Sequence, residues 1–290
     1  MNAGQHLRDL IAADEMVVAP GAYDGLTARL VEQAGFSCVY MTGGGTAAGF
    51  GYPDYGLLTM SEMVENAARL VDATSLPVIS DADNGYGNEL NVYRTVQAFE
   101  KAGVAAIHIE DQVFPKRCGH LENKELVSLD DYLAKIRAAA DARRSEQFVI
   151  IARTDARADL GFAEAVDRCN AAIEAGADIA FLEAPQTLDE IAQAPRDING
   201  PCLLNVVHKG KTPEVAFADA QAMGYRVAIV PAVLLVNIVG ACDEALQAMK
   251  RDGRHPAPLA DLSPAELFAR VGADDWAPRR ERFRLPDAAD

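Results

Sequence analysis

Short apolar runs alternate along the chain with longer alanine-rich stretches that have the spacing of amphipathic helices. The apolar runs are continuous rather than alternating, which is typical of parallel strands buried on both faces. Eight runs predict eight strands, at residues 16–20, 37–41, 76–80, 105–110, 148–153, 178–183, 202–206 and 226–230. The intervening stretches predict helices, among them 24–34, 92–101, 130–143 and 163–175.

Four of the predicted helices end at a glycine just before the next strand, at Gly35, Gly103, Gly176 and Gly224. Glycine suits the left-handed position that closes a helix. Repeated strand–helix units of this kind predict a (β/α)₈ TIM-type barrel. A doubly wound open sheet is the alternative, but it usually carries a glycine-rich phosphate loop after its first strand. Here that strand leads into Pro20-Gly-Ala-Tyr-Asp24. We expect one barrel domain over residues 1–290, with a helical extension and tail over about 251–290.

Composition narrows the class of partner. The 290 residues carry 27 Lys and Arg against 43 Asp and Glu, and half are hydrophobic. A net charge of −16 argues against binding to nucleic acid or to an anionic membrane. No run approaches the roughly 18 apolar residues that a membrane span needs. The five cysteines are scattered without a CxxC pair, so neither a disulfide framework nor a zinc site is indicated. These features predict a cytoplasmic protein.

Acidic residues follow three of the predicted strands. In a barrel, functional side chains lie at the carboxyl ends of the strands, so these groups should converge on one mouth. Asp81 and Asp83 follow the third strand, Glu110 ends the fourth and Glu183 ends the sixth. An all-oxygen set without His or Cys suits Mg²⁺, or Mn²⁺, held largely through water. The alternative is that the Asp-Ala-Asp segment is only a solvated turn or a helix cap.

Two further strand ends offer groups that bind anions. The sequence Thr42-Gly43-Gly44 follows the second strand and presents backbone N–H groups. Arg153 ends the fifth strand and can grip a carboxylate with two parallel hydrogen bonds. The competing interpretations are a flexible turn for the glycines, and a salt bridge from Arg153 to Asp155 or Glu183.

The segment Lys116-Arg117-Cys118-Gly119-His120 lies in a long polar stretch after the fourth strand. A loop of that length at a barrel mouth is a candidate lid. Two cations and a histidine around Cys118 would lower the pKa of its thiol and ease proton exchange. The other four cysteines are interpreted as core residues.

These residues together resemble the isocitrate lyase/phosphoenolpyruvate mutase superfamily over about residues 5–250. The resemblance is greatest to its 2-methylisocitrate lyase and 2,3-dimethylmalate lyase branch. It is carried by seven segments: Pro20-Gly-Ala-Tyr-Asp, the Thr-Gly-Gly turn, Tyr52-Pro-Asp54, Asp81-Ala-Asp-Asn-Gly-Tyr-Gly, His108-Ile-Glu-Asp, Lys116-Arg-Cys-Gly-His and Ile151-Ala-Arg-Thr-Asp. The resemblance implies a barrel whose eighth helix is swapped between subunits, in a homotetramer built as a dimer of dimers.

The resemblance also assigns roles. It implies Mg²⁺ near Asp81, Asp83 and Glu110, with Asp54 close by. A substrate carboxylate would meet Thr42, Gly43, Gly44 and Arg153, and Glu183 and Asn205 would complete the pocket. The implied reaction cleaves the C2–C3 bond of a 2-hydroxy dicarboxylate, giving a 2-oxo acid such as pyruvate and a second carboxylate. Cys118 would protonate the departing carbanion, and Tyr40 would exchange the hydroxyl proton. Lys116, Arg117, His120 and Asp54 join them in the expected catalytic set.

One departure from the family pattern affects specificity. Lyases that act on tricarboxylates place an arginine about five residues after the eighth-strand proline, whereas Pro231 is followed here by Ala-Val-Leu-Leu-Val236. The turn Asn205-Val-Val-His-Lys-Gly-Lys also departs from the Asn-x-Thr pattern of methylisocitrate lyases. Without that cation, desolvating a third carboxylate is costly, so we expect an alkyl-substituted malate. Alternatives are 2-methylisocitrate lyase, carboxyphosphonoenolpyruvate phosphonomutase or oxaloacetate decarboxylase activity, and a non-catalytic carboxylate-binding barrel.

Overall fold

The computed structural model describes residues 2–117, 119 and 124–284. Its strands are β1 (Val17–Ala22), β2 (Val39–Met41), β3 (Val78–Asp81), β4 (Ala106–Glu110), β5 (Val149–Thr154), β6 (Ile179–Leu182), β7 (Leu203–Asn205) and β8 (Val227–Val230). Each of the eight predicted strands is confirmed, with its ends within two residues of the prediction. Continuous apolar runs therefore located the sheet correctly.

The helices alternate with the strands, as the periodic stretches predict. They are α1 (Ala3–Ala12), α2 (Gly25–Gln33), α3 (Gly43–Gly49), α4 (Met60–Ala73), α5 (Glu89–Ala102), α6 (Leu129–Ala142), α7 (Phe162–Glu174), α8 (Leu188–Asp197), α9 (Phe217–Met223), α10 (Val233–Asp252), α11 (Pro264–Ala269) and α12 (Ala273–Arg282). Gly103 and Gly224 close α5 and α9 in the left-handed conformation, with φ of 92° and 112°. The predicted role of glycine at these two ends is confirmed.

All the strand pairs are parallel, in the order β6-β5-β4-β3-β2-β1-β8-β7. A single bridge between Ala180 and Cys202 links the two edge strands, β6 and β7. The sheet thus forms a nearly closed barrel, and the predicted (β/α)₈ fold is confirmed. Gly21 is required where β1 meets β8, because a Cβ atom there would overlap the backbone of Pro231.

Alternate residues of each strand point into the barrel, since side chains of a strand have a period of two. The lower inward positions are apolar and form one buried cluster that includes Ile79, Ile151 and Phe181. Continuing the same alternation upward brings polar groups to the mouth. These are Asp81 after Ile79, Arg153 after Ile151 and Glu183 after Phe181. The barrel therefore rests on an apolar core and presents its charges at the carboxyl ends of the strands.

The chain divides into two compact units, residues 1–236 and 237–290. The first unit contains the whole barrel. The second contains most of α10 together with α11 and α12. None of the helices in the described part of the chain is long and apolar enough to cross a membrane.

Candidate active site

A cavity of about 270 Å³ opens at the carboxyl ends of the barrel strands. Nine of the residues predicted for the site line it: Tyr40, Thr42, Gly44, Asp54, Asp81, Lys116, Arg153, Glu183 and Asn205. They come from the ends of different strands and from the loops that follow them. The barrel topology therefore brings together side chains that are far apart along the sequence.

The Asp81 carboxylate accepts hydrogen bonds from two backbone N–H groups, one of them in the turn after β2. Its Oδ2 accepts a hydrogen bond from the Gly43 N–H at 3.2 Å, and its Oδ1 accepts one from the Asp83 N–H at 2.9 Å. A side chain at position 43 would collide with this carboxylate, so glycine is required there. Burial raises the pKa of Asp81, but positive charge outweighs burial and holds the pKa at about 2. That charge comes from His108, which is protonated only below about pH 4, and from Lys116 and Arg153.

The predicted glycine-rich turn is the first turn of a helix, α3, whose N-cap is Thr42. The Thr42 hydroxyl accepts a hydrogen bond from the Gly45 N–H at 3.3 Å. Pattern analysis missed this helix because glycine is a poor helix former. The anion that the Gly43 N–H binds in this structure is the protein's own Asp81.

Lys116 provides a buried positive charge between two carboxylates. Its Nζ lies 2.6 Å from Asp54 Oδ1 and 2.9 Å from Asp83 Oδ1, and the side chain is 3% exposed. Burial opposes the charged form, but the negative charges of Asp83 and Asp54 raise the pKa of Lys116 well above its usual value. The lysine is therefore an ammonium ion in the folded protein.

Glu110 is the best indication that a cation belongs in this site. It is fully buried, and burial raises its pKa well above the ordinary value. Neither of its carboxylate oxygens has a hydrogen-bond partner within the described ranges, although Arg153 Nη1 lies 3.3 Å from Oε2. No group of three His, Cys, Asp or Glu side chains in the described chain has direct metal-binding geometry. Oxygen donors of this kind fit a Mg²⁺ ion bound mainly through water.

Arg153 makes the salt bridge to Asp155 that was one of its two interpretations from the sequence, and it also lines the cavity. Its Nε and Nη2 donate to the two carboxylate oxygens of Asp155 at 3.0 and 3.2 Å. Its guanidinium also lies 5.2 Å above the ring of Phe181 and 3.8 Å from Glu183. The salt bridge fixes the guanidinium plane while the group still lines the cavity. An arginine held in this way is preorganised to bind a carboxylate.

Tyr40 faces the cavity with a histidine behind it. Its hydroxyl lies 2.8 Å from His108 Nε2, and the two rings are stacked with their centroids 5.8 Å apart. Burial and the Asp81 charge raise the pKa of Tyr40 well above its usual value. Burial lowers the pKa of His108 to about 4, so at neutral pH both groups are uncharged.

The opposite wall of the cavity is apolar. It is formed by Val207, Pro231, Ala232 and Leu235. Leu235 lies in the segment after Pro231 where the tricarboxylate lyases carry their arginine. Asn205 and Glu183 separate this wall from Arg153, and their side chains are hydrogen-bonded at 3.2 Å. The cavity thus has one charged side and one apolar side.

The remaining predicted residues lie close to the cavity or outside the described chain. Gly43, Asp83 and Glu110 contact the lining groups Asp81, Lys116 and Arg153, respectively. Arg117 is exposed and does not line the cavity. Cys118 and His120, two of the predicted catalytic residues, lie outside the described residues.

Sequence reasoning missed several buried polar residues beneath the site. Lys124 Nζ donates to Asp155 Oδ1 at 2.7 Å, and Asp111 accepts from Thr154 Oγ1 at 2.6 Å. Arg168 lies 3.1 Å from Asp111. Of these, Asp111 adjoins Glu110 in a matched segment, and Asp155 was named only as an alternative salt-bridge partner of Arg153. Lys124 and Arg168 follow no motif, because they reach the site from a loop and from helix α7.

Comparison with known proteins gives consistent results. Residues 7–250 match the phosphoenolpyruvate phosphomutase family. The 2,3-dimethylmalate lyase of Eubacterium barkeri is 46% identical over 253 residues, covering 87% of this chain and 88% of that protein. The 2-methylisocitrate lyase of Aeropyrum pernix is 40% identical over 277 residues, covering 95% and 89%.

A solved structure of oxaloacetate acetylhydrolase, in complex with the inhibitor 3,3-difluorooxalacetate, superimposes with a TM-score of 0.93. It is 38% identical and covers 97% of each chain. The match extends over the barrel and its site, and the resemblance inferred from the motifs is confirmed. The chain belongs to the phosphoenolpyruvate mutase/isocitrate lyase superfamily.

Proposed function

We propose that this protein is a Mg²⁺-dependent carbon–carbon lyase that cleaves an alkyl-substituted malate to a 2-oxo acid and a second carboxylate. The observation that carries the proposal is the two-sided cavity, with Asp81, Lys116 and Arg153 facing an apolar wall that includes Leu235. The charged side suits the two carboxylates and the hydroxyl of a malate. The apolar side suits an alkyl group on C3.

The metal would be held by Asp81, Asp83 and Glu110, with Asp54 nearby. The unsatisfied oxygens of buried Glu110 support this assignment. When bound, Mg²⁺ supplies positive charge that offsets the negative charge developing on the substrate oxygens in the transition state. Mn²⁺ has similar ligand preferences and is expected to substitute.

The reaction requires a proton to leave the substrate hydroxyl. The oxygen electrons then form the C2=O bond as the C2–C3 bond breaks, and that electron pair moves onto C3. Tyr40 Oη can take the hydroxyl proton if its own proton passes to His108 Nε2, 2.8 Å away. We assign protonation of C3 to Cys118. Arg153, the Gly44 N–H and the Thr42 hydroxyl would hold the carboxylate of the forming 2-oxo acid.

Specificity for an alkyl group is tested with a panel of substituted malates and 2-methylisocitrate in the presence of Mg²⁺. We expect kcat/KM for 2,3-dimethylmalate to exceed that for 2-methylisocitrate by about tenfold or more, because the apolar wall leaves a third carboxylate without a cation. Faster cleavage of 2-methylisocitrate would disprove the alkyl assignment while leaving the lyase assignment intact.

Leu235→Arg is expected to reverse this preference. A guanidinium on the apolar wall would lower kcat/KM for dimethylmalate by about 10- to 100-fold, since it fills and charges the alkyl site. Activity on 2-methylisocitrate should fall less or rise. The matched control is Leu90→Arg on α5, where the leucine is 74% exposed and lies outside the cavity lining. Equal losses on both substrates would show that Leu235 does not select the C3 group.

We also propose a homotetramer, a dimer of dimers in which the helix after β8 is exchanged between subunits. Two observations support the exchange. Helix α10 has no buried residue, although Leu246 and Met249 are large and apolar. Beside β1 and β8, where a barrel seats its eighth helix, lies a groove of about 190 Å³ lined entirely by apolar residues, among them Leu30, Phe36 and Phe217.

Light scattering on the purified protein tests the assembly. The expected mass is four times that of the chain, and Leu246→Glu should release smaller species because it places a charge in a dry interface. A wild-type monomer would contradict the proposal.

A cytoplasmic location stays a prediction from composition.

Three alternative functions are separated by direct assays. Phosphonomutase activity would show as a new phosphorus resonance from phosphonopyruvate-type substrates, and oxaloacetate decarboxylation as release of CO₂. A non-catalytic barrel would bind oxalate, a planar dicarboxylate, without turning over any substrate. Lyase, mutase and decarboxylase all need a carboxylate-binding arginine. The charged cavity therefore does not favour any of these alternatives over the lyase.

A further inference from the structure

The loop that follows β4 is closed at its base by a short antiparallel stem. Gln112 and Leu126 form a bridge, Val113 N–H donates to the Glu125 carbonyl at 2.7 Å, and Val127 N–H donates to the Asp111 carbonyl at 2.9 Å. Gln112 and Lys124 therefore stand on the two sides of the loop at its stem. Both side chains are buried, with exposures of 1% and 8%.

Gln112 turns into the loop and binds the backbone of Arg117 with both ends of its amide. Its Oε1 accepts a hydrogen bond from the Arg117 N–H at 2.9 Å, and its Nε2 donates one to the Arg117 carbonyl at 2.8 Å. A buried amide that satisfies one backbone residue twice fixes both the position and the orientation of that residue.

Lys124 binds the loop backbone from the other side of the stem, through its charged amino group. Its Nζ donates to the Gly119 carbonyl at 2.7 Å and to Asp155 Oδ1 at 2.7 Å. Asp155 in turn binds Arg153 through both its oxygens. The lysine thus ties the backbone of the loop to the ion pair that orients the arginine of the active site.

Gly119 itself packs closely on that arginine. A Cβ atom at this position would overlap Arg153 Nη2 and Glu183 Oε1, so only glycine fits. The two backbone positions held by Gln112 and Lys124, Arg117 and Gly119, are the covalent neighbours of residue 118.

We propose that Gln112 and Lys124 are positioning residues that hold the backbone on both sides of residue 118 and thereby set the rate of the protonation step. The effect on rate rests on the proposed function, in which Cys118 is the acid. The hold on the backbone does not depend on that function, and it can be measured separately as the reactivity of the thiol.

Gln112→Leu is the first variant, because leucine is of similar size, removes both hydrogen bonds and leaves no uncompensated charge. Lys124→Met is the second, with Lys124→Arg as its conservative counterpart. Lys101→Met, on the exposed side of α5, is the matched control. Each variant is assayed for kcat and KM on the preferred substrate, for binding of oxalate with Mg²⁺, and for thermal unfolding.

We expect Gln112→Leu to lower kcat by about tenfold or more while KM and oxalate affinity stay within about threefold, since the tether acts on a proton-transfer step and not on the binding groups. Lys124→Met should lower kcat at least as much, and Lys124→Arg should recover part of the loss. A Gln112→Leu protein that melts like the wild type and retains kcat within about twofold overturns the proposal.

Alkylation of Cys118 by iodoacetamide, followed by peptide mass spectrometry with Cys118→Ser as the blank, supplies the readout that needs no turnover. Releasing either tether should increase the rate about fivefold or more, because the backbone at Arg117 or Gly119 is then free to open locally. Rates equal to the wild type in both variants would overturn the proposal even if the wild type is an active lyase. Increased rates in a protein that cleaves no substrate would retain the tether and reject only the proposed function.

Discussion

Replacing Cys118 by serine is expected to abolish turnover while leaving product-analogue binding nearly intact. A serine hydroxyl is a far weaker acid than a thiol, so it cannot protonate C3 at neutral pH. Loss of a general acid typically costs about 10²- to 10⁴-fold in kcat. Release of 2-oxo acid gives the rate, and calorimetry with oxalate and Mg²⁺ gives the affinity.

The control for this variant is Cys242→Ser in the second unit, where the structure shows an exposed cysteine and not the core residue expected from the sequence. It should retain wild-type activity. Turnover by Cys118→Ser within a few fold of the wild type would remove Cys118 from the mechanism. Loss of oxalate binding together with turnover would instead indicate that Cys118 maintains the binding site.

Arg153→Lys is expected to weaken carboxylate binding by about 10- to 100-fold, although it preserves the charge. Lysine is a point charge and cannot reproduce the two parallel hydrogen bonds to Asp155 that fix the guanidinium plane. A rise in the dissociation constant of oxalate measures the loss, and the cost corresponds to about 1–3 kcal/mol.

Arg157→Lys offers a matched comparison. Arg157 also makes a two-pronged pair, with Glu190 at 2.9 and 2.7 Å, but it does not line the cavity. It should change oxalate affinity little. Equal affinities for Arg153→Lys and the wild type would mean that the carboxylate is not bound by Arg153.

The barrel could be predicted from the sequence because strands buried on both faces appear there as continuous apolar runs. Continuous apolar runs located all the strands, and the period of two along β3, β5 and β6 placed Asp81, Arg153 and Glu183 at the mouth. Residues at strand ends are predictable because the topology brings those ends together.

Residues on loops were predicted less well, since their positions depend on tertiary contacts. The pairing of Lys116 with Asp54 and Asp83, from three separate segments, follows from how two loops approach each other. Gln112 and Lys124 carry no motif of their own, and their roles emerged only from the backbone groups they reach. At Arg153 the salt bridge to Asp155 is confirmed, whereas its binding of a substrate carboxylate stays a prediction.

The net charge of −16 describes the surface better than it describes the site. At the cavity, Lys116 and Arg153 are buried beside Asp54, Asp81 and Glu183, so the local balance is much closer to neutral. Bound Mg²⁺ would add two positive charges to this balance. An acidic protein can therefore bind a dicarboxylate.

The central claim is a metal-dependent cleavage of a C2–C3 bond. Its most direct test is to incubate the purified protein with 2,3-dimethylmalate and follow both products. The account predicts pyruvate and propionate in equal amounts, no reaction with EDTA, and recovery when Mg²⁺ is restored. Absence of any 2-oxo acid from dimethylmalate and the rest of the panel, or cleavage that EDTA does not stop, would contradict it.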